Sequence, residues 1–201
     1  IVRSSLMIPK VRPVVLCVAA YVPWKRIELF FESVFELRRR VPNALGILVG
    51  SDLSGLGAGY EHELEQKRQD LGLGPECLMV LHERDDVPDL MAAADVLVSC
   101  SENEPFGRVI VEAGAAGLPV VSTRSGAKPE LIEDGVSGAL VDPRNAAQIA
   151  EACAKILNDD ELRAKMGAGG RRIVSERFHV RRTAAELAQL FNSKAQQPAK
   201  A

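Results

Sequence analysis

The sequence predicts a doubly wound, Rossmann-like α/β fold on a parallel sheet. The first reason is a set of short apolar runs such as Val14-Val15-Leu16-Cys17-Val18, which lack the polar alternation of a half-exposed strand and suit strands buried on both faces. The second is their recurrence at roughly thirty-residue spacing with helical patterns between them, the order of β-α crossovers. The third is composition: 47% apolar and 26% charged residues over 201 positions describe a soluble globular chain that can bury its own core.

The elements follow in order. Residues 1–13 read as a linker or edge segment. Val14–Val18 is the first strand, bounded by Pro13, and a loop leads from it to Lys25. Ile27, Phe30, Phe31 and Val34 recur at i, i+3, i+4, i+7, the face of an amphipathic helix ending near Val41-Pro42. Ala44–Val49 is the second strand, punctuated by Gly50. Gly55, Gly57 and Gly59 make a flexible turn whose G-x-G-x-G spacing is not the dinucleotide-binding G-x-G-x-x-G. Glu61–Leu71 is a charged helix stopped by Gly72, and Cys77–Leu81 the third strand. Val87, Leu90, Met91 and Ala94 form a short helical face. Asp95–Cys100 and Pro119–Ser122 are the fourth and fifth strands, with a helix between them. Ala139–Val141 is a last short strand. Asp142 is predicted to cap the next helix, with Pro143 at its first position and Ile149, Cys153 and Ile156 on its inner face. Leu162–Met166 and Arg171–Glu176 read as two separate helical stretches. Val180, Ala184, Leu187 and Phe191 line a final helix. The organisation is thus a Rossmann-like domain over 1–178, a helix over 179–193 and a flexible polar tail over 194–201.

Several function classes fall away. Twenty-five Lys and Arg against 27 Asp and Glu leave a net charge of −2, with no basic excess for nucleic acid. The longest largely apolar stretch, Val14 to Trp24, is about half a membrane span. Cys17, Cys77, Cys100 and Cys153 are far apart with no C-x-x-C pair, as in a cytoplasmic protein with reduced, buried thiols. The three histidines are not spaced as ligands, so no metal is expected. The chain opens Ile1-Val2-Arg3-Ser4, without Met or a signal-peptide pattern, and reads as starting inside a longer protein.

Chemistry concentrates in Ser101-Glu102-Asn103-Glu104-Pro105-Phe106-Gly107-Arg108-Val109-Ile110-Val111-Glu112. This segment leaves the fourth strand and opens a helix. Ligands of doubly wound sheets bind at the carboxyl ends of strands. A Pro-Phe-Gly turn entering a helix exposes free N–H groups at the positive end of the dipole, which suits phosphate, and Gly107 lets the anion approach. Glu104 precedes the helix and Glu112 is expected about two turns inside it, roughly 8 Å away along the axis. An anion site between two acceptors suits a ligand with a central diphosphate and hydroxylated rings at both ends. The competing reading makes Glu104 a helix cap and Glu112 a solvated helix residue.

The surroundings carry a resemblance. Glu-Pro-Phe-Gly, seven residues between Glu104 and Glu112, then Gly117-Leu118-Pro119-Val120-Val121, Ser125-Gly126-Ala127-Lys128-Pro129-Glu130 and Asp134-Gly135-Val136-Ser137-Gly138 occur in fixed order. This resembles the C-terminal, donor-binding domain of GT-B glycosyltransferases, in particular the retaining glycosyltransferase family 4. The resemblance is best over Leu78–Asp142 and extends more loosely over most of the chain. It implies that Glu104, the first Glu of an E-x7-E motif, contacts the transferred sugar. It implies that Phe106, Gly107 and Arg108 form the diphosphate turn, that Val109 beside them is donor-binding, and that Glu112 binds ribose. Lys25 matches a lysine that neutralises the donor phosphates, where a cation also stabilises the leaving group. One departure stands out. The family usually has Gly-Arg after the first strand, with the Arg on the phosphates, and here Ala19 and Ala20 occupy those positions. Arg26 is a candidate substitute, turned about 100° from Lys25 if both lie on one helix.

Weaker candidates follow. His82-Glu83-Arg84 succeeds the third strand, where the family binds the base. Arg84 can stack on it or form a surface salt bridge, and His82 reads as a loop residue. Gly126, with Ser125 and Ala127, is expected to line the pocket. His62 and His179 read as helix-surface residues, and Cys100 has no base to activate it.

The resemblance therefore implies the donor half of a retaining, metal-independent glycosyltransferase. It needs no cofactor beyond its nucleotide-sugar co-substrate. Its partner is an N-terminal acceptor-binding domain, through which any peripheral membrane contact is made, and the isolated chain is expected to be inactive in transfer. The alternatives are a non-catalytic nucleotide-sugar-binding module or another GT-B-like sugar-nucleotide enzyme.

Overall fold

Six parallel strands position everything else, in the order β3-β2-β1-β4-β5-β6. A computed structural model describes residues 2–52, 55 and 59–195. Along the chain run α1 (Val2–Ser5), β1 (Val14–Val18), a 3₁₀ turn at Pro23–Lys25, α2 (Ile27–Arg38), β2 (Leu45–Val49) and α3 (Tyr60–Asp70). Next come β3 (Leu78–Leu81), α4 (Val87–Ala93), β4 (Val96–Ser99), α5 (Arg108–Ala116), β5 (Val120–Thr123) and α6 (Lys128–Leu131). The series ends with β6 (Gly138–Val141), α7 (Ala146–Leu157), α8 (Asp160–Arg177) and α9 (Val180–Ala195). The doubly wound α/β architecture is as predicted.

The central strand β1 is apolar throughout because both of its faces are covered. Val14 and Leu16 of β1 pack with Leu90, Met91 and Ile110 on one face, while Val15 and Cys17 pack with Phe30, Phe31 and Ile149 on the other. All four cysteines are buried and unpaired. Burial pushes the Cys17 and Cys153 thiols up to about 12 and raises Cys100 well above its ordinary range. Residues 2–13, expected as a linker or edge, include helix α1, and Val2 and Ile8 are buried. Arg3 fixes them with an ion pair to Asp95 at 2.8 Å and a bond to the Ala93 carbonyl at 2.7 Å.

Local readings needed correction at several points. Asp142 does not cap α7. Asn145 does, its Oδ1 accepting from Gln148 N at 3.0 Å, while Asp142 turns the chain by accepting from Arg144 N at 2.9 Å. The two helical stretches after residue 160 are one helix, α8, continuous through Gly167-Ala168-Gly169-Gly170. Each interior Gly disfavours a helix by about 1 kcal/mol relative to Ala. Here the missing side chains admit neighbouring backbone: a Cβ on Gly167 would lie 2.2 Å from the Gly117 carbonyl oxygen, and one on Gly169 2.3 Å from that of Val136. Helix α2 stops at Arg38, before Val41-Pro42. Helix α9 forms, but Val180, Leu187 and Phe191 on it are exposed. Of the Gly55–Gly59 turn, Gly57 lies outside the described residues, as do residues 196–201 of the tail. Among the described residues no helix is long and apolar enough to cross a membrane.

Candidate functional site

The sheet's winding reverses between β1 and β4, where doubly wound folds leave a crevice at the strands' carboxyl ends. A cleft of about 1050 Å³ opens there, lined by Val18–Ala20 after β1, Val49–Ser51 after β2, and Glu104–Val109 after β4. Main chain ties its walls together, because Glu102 N donates to the Trp24 carbonyl at 2.7 Å.

Lys25 and Glu104 meet in this cleft from opposite walls. Lys25 ends the 3₁₀ turn, and its Nζ donates to Glu104 Oε2 at 2.8 Å while lying 4.2 Å from the Trp24 ring centroid. Glu104 is buried, and the same Oε2 accepts from Ser101 Oγ at 2.9 Å. Burial pushes its carboxyl up, but the hydrogen bond and charge of Lys25, the Ser101 hydroxyl and the charge of Lys128 together hold it below the ordinary range. A carboxylate so held is ionised at neutral pH and accepts hydrogen bonds only. No described residue donates to its other oxygen.

Helix α5 starts at Arg108 with Gly107 as its N-cap, at φ +90°, and no side chain caps it. Glu104 is thus not the cap. A Cβ on Gly107 would also press on Leu131 at 3.0 Å. The first turn has no acidic residue and Arg108 is exposed at its start. Free amides, the dipole and a cation all point an anion to this end. Phe106 is 47% exposed at the mouth and sets its ring against Phe178, centroids 6.1 Å apart.

Glu112, the fifth residue of α5, stands about 6 Å along the axis from Arg108, one turn in rather than two. It is exposed and lines the cleft, which the half-buried Val109 and Arg84 also line. Arg84 is also held flat by two bonds to Asp86, at 2.6 and 2.7 Å. The surface salt bridge expected of Arg84 is therefore present. Ala19 and Ala20 line the cleft. Arg26 does not replace the missing arginine: it sits at φ +52° between the 3₁₀ turn and α2, paired with Glu28 and Glu102.

Some candidates lie elsewhere. Gly126 is one layer behind the cleft, at φ +56°, where a Cβ would strike the Glu104 backbone at 2.4 Å; it supports Glu104 rather than lining the pocket. Ser125 and Ala127 are likewise behind it, bonded to the Ser101 and Glu104 carbonyls. His82 lines a separate cavity of about 610 Å³ beside α3. His62 is exposed on α3, and His179 precedes α9, accepting from Arg181 N. Among the described residues no three His, Cys, Asp or Glu cluster as a metal site.

Sequence reasoning missed Trp24 and Ser101 as site residues. Trp24 had a usable signal, an aromatic directly before Lys25 in the chain. Ser101 had one as well, standing three residues before Glu104 in the same segment, where its Oγ reaches Oε2 at 2.9 Å.

The family profile "Glycosyl transferases group 1" matches residues 2–173. The chain is 33% identical over 191 residues to a GDP-mannose-dependent alpha-(1-6)-phosphatidylinositol monomannoside mannosyltransferase of Mycolicibacterium smegmatis, covering 91% of this chain and 48% of that protein. It is 34% identical over 167 residues to a D-inositol 3-phosphate glycosyltransferase of Corynebacterium kroppenstedtii, covering 82% and 37%. The crystal structure of Anabaena HepE with UDP superposes with a TM-score of 0.87 at 33% identity, covering 96% of this chain and 51% of that one. HepE has also been solved with UDP-glucose. The chain thus spans about half the length of these relatives or less. Matched by the family profile over residues 2–173, and sharing its fold with HepE, the chain belongs to the group 1 glycosyl transferases.

Proposed function

We propose that this chain is the donor-binding half of a retaining glycosyltransferase that moves a sugar from a nucleoside diphosphate sugar to a glycan, lipid or small-molecule acceptor. The acceptor is held by an N-terminal domain, and the 201-residue chain alone binds donor without turnover. The carrying observation is that Lys25, Glu104, the uncapped start of α5 and Glu112 border one cleft. The diphosphate lies on the α5 amides beside Lys25, the sugar toward Glu104, the ribose toward Glu112 and the base toward Arg84. Lys25, the amides and the helix dipole carry the charge compensation, without a metal. As the sugar–phosphate bond breaks, negative charge grows on the leaving phosphate, and Lys25 stabilises it. The acceptor oxygen bonds the anomeric carbon on the face being vacated, and its proton passes to the leaving phosphate. The UDP and UDP-glucose complexes of HepE support a nucleotide-sugar ligand, and family membership supports transfer. In this reading the work is cytoplasmic, and any membrane contact is made through the other domain.

Calorimetry with UDP, GDP and their sugar derivatives tests the assignment. Glu112→Gln should weaken nucleoside diphosphate and nucleotide sugar alike, and Glu104→Gln the nucleotide sugar only, each by about 1.5–3 kcal/mol. Equal losses of both ligands in both variants would refute the division of labour. Turnover by the isolated chain, followed as labelled sugar reaching an acceptor, would refute its role as a donor half. The alanines after β1 make a further prediction. Ala20→Arg should tighten nucleoside diphosphate binding by up to about tenfold, roughly 1.4 kcal/mol, and the gain should shrink in high salt. An unchanged affinity in a folded variant would mean that the end of β1 does not face the phosphates.

A further inference from the structure

Lys128 is the least expected charge in the molecule. It opens the short helix α6, it is 0% exposed, and the site reading gives it no task. A buried ammonium is costly unless it is hydrogen-bonded and balanced. Its Nζ donates to the Ser101 carbonyl and, at 2.5 Å, to Thr123 Oγ1. The Ser101 carbonyl is a hub, accepting also from Thr123 Oγ1 at 3.2 Å and from Ser125 Oγ at 2.9 Å. The Ser101 hydroxyl in turn bonds Glu104 Oε2. Two residues on, Asn103 sits at φ +50°, a left-handed conformation rare outside glycine. The backbone of Glu104 rests on Gly126, and its carbonyl accepts from Ala127 N at 2.9 Å. Residues 123–128 therefore cradle the turn that presents Glu104, with one buried cation at the centre. Glu104 lies between two lysines, Lys25 in the cleft and Lys128 behind it.

We propose that Lys128 is a positioning residue for recognition of the donor sugar: from behind the cleft its ammonium fixes the Ser101–Glu104 turn and so sets where the Glu104 carboxylate stands as an acceptor. The proposal rests on the reading of Glu104 as the sugar-facing group. An apolar side chain of similar length would be the less costly occupant of a buried site if packing were the only demand. Burial drives the Lys128 ammonium down to about 8, with Lys25 lowering it further and Cys100, Glu104 and Glu102 acting to raise it. It is charged at pH 7 and largely neutral by pH 9.5, where its bonds to the Ser101 carbonyl and Thr123 Oγ1 lose their charge assistance and hold the turn less firmly, so sugar recognition carries a pH dependence of its own.

The measurement is the sugar gain: the affinity for nucleotide sugar divided by that for the matching diphosphate. It is taken by calorimetry for UDP-glucose over UDP and GDP-mannose over GDP, and the pair the wild type discriminates is followed. A change in Lys25 or the amides moves both ligands and cancels in the ratio. Lys128→Met is expected to fold, to bind diphosphate within about twofold of wild type, and to lose about fivefold to tenfold of the sugar gain. The wild-type gain should fall between pH 7 and 9.5, while that of Lys128→Met stays flat, a result that a merely structural lysine would not produce. If Glu104→Gln loses the gain and Lys128→Met keeps it, the positioning role is overturned while the site reading stands. If Glu104→Gln keeps the gain, or the wild type shows none, the reading of Glu104 fails and this role with it. Should Lys128→Met not fold, the wild-type titration decides, and a ratio unchanged from pH 7 to 9.5 overturns the proposal.

Discussion

Lys25→Ala is expected to weaken binding of a nucleoside diphosphate by about a hundredfold, roughly 2.7 kcal/mol, while leaving the bare nucleoside within about twofold. Two effects act in the same direction. A charge-assisted bond to the phosphates is lost, worth about 1.5–3 kcal/mol. Glu104, 7% exposed, also loses the partner 2.8 Å away and confronts the phosphates with an uncompensated carboxylate. The same substitution changes stability with a definite sign. The folded Glu104 carboxyl is held below its ordinary value, so its pairing contributes stability that is complete above the unfolded-state value near 4.3. That contribution is lost as the pH falls through the lowered folded value. Urea denaturation from pH 7 downward should therefore show the wild type converging on Lys25→Ala as the medium becomes acidic. A constant gap across that range, with diphosphate affinity unchanged, would remove Lys25 from the site.

Gly167→Ala should destabilise the fold by about 3 kcal/mol, lowering the melting temperature by roughly 6–12 °C. Local propensity predicts the opposite, because Ala favours a helix over Gly by about 1 kcal/mol. The tertiary contact decides: the added methyl would stand 2.2 Å from the Gly117 carbonyl oxygen, so α8 must move off the end of α5. Gly169→Ala, 2.3 Å from the Val136 oxygen, should be similarly harmful. Gly170→Ala, 3.3 Å from the Gly114 Cα, asks a neighbour to yield only slightly and should be much milder. Equal melting temperatures for the Gly167 and Gly170 variants would contradict this ranking.

The same contrast separates what was legible in the sequence from what was not. Uninterrupted apolar strands such as Val14–Val18 announced a sheet covered on both faces, because each strand must bury both its sides. The order of elements gave the winding, and the Glu104–Glu112 segment gave the uncapped helix start that borders the cleft, since turn, glycine and helix start are adjacent in the chain. These features depend on neighbours within a few residues. The cap at Asn145 instead of Asp142 was misread because two polar residues close together both suit a helix start, and the later one satisfied the amides. The continuity of α8 was hidden because its glycines weaken a helix locally and are justified only by the backbones that approach them. Lys128 was invisible as a functional group because a lysine in sequence carries no sign of burial. By itself, then, the sequence determined the sheet, its covering helices and the local glycine turn that opens α5. The tertiary structure alone decided that α6 would bury an ammonium behind Glu104, that Arg26 would be spent on Glu28 and Glu102, and that Lys25 would meet Glu104. Those outcomes depend on charges distant in the chain being brought together where water is excluded, and there the strength of each interaction is set by desolvation and geometry rather than by residue type.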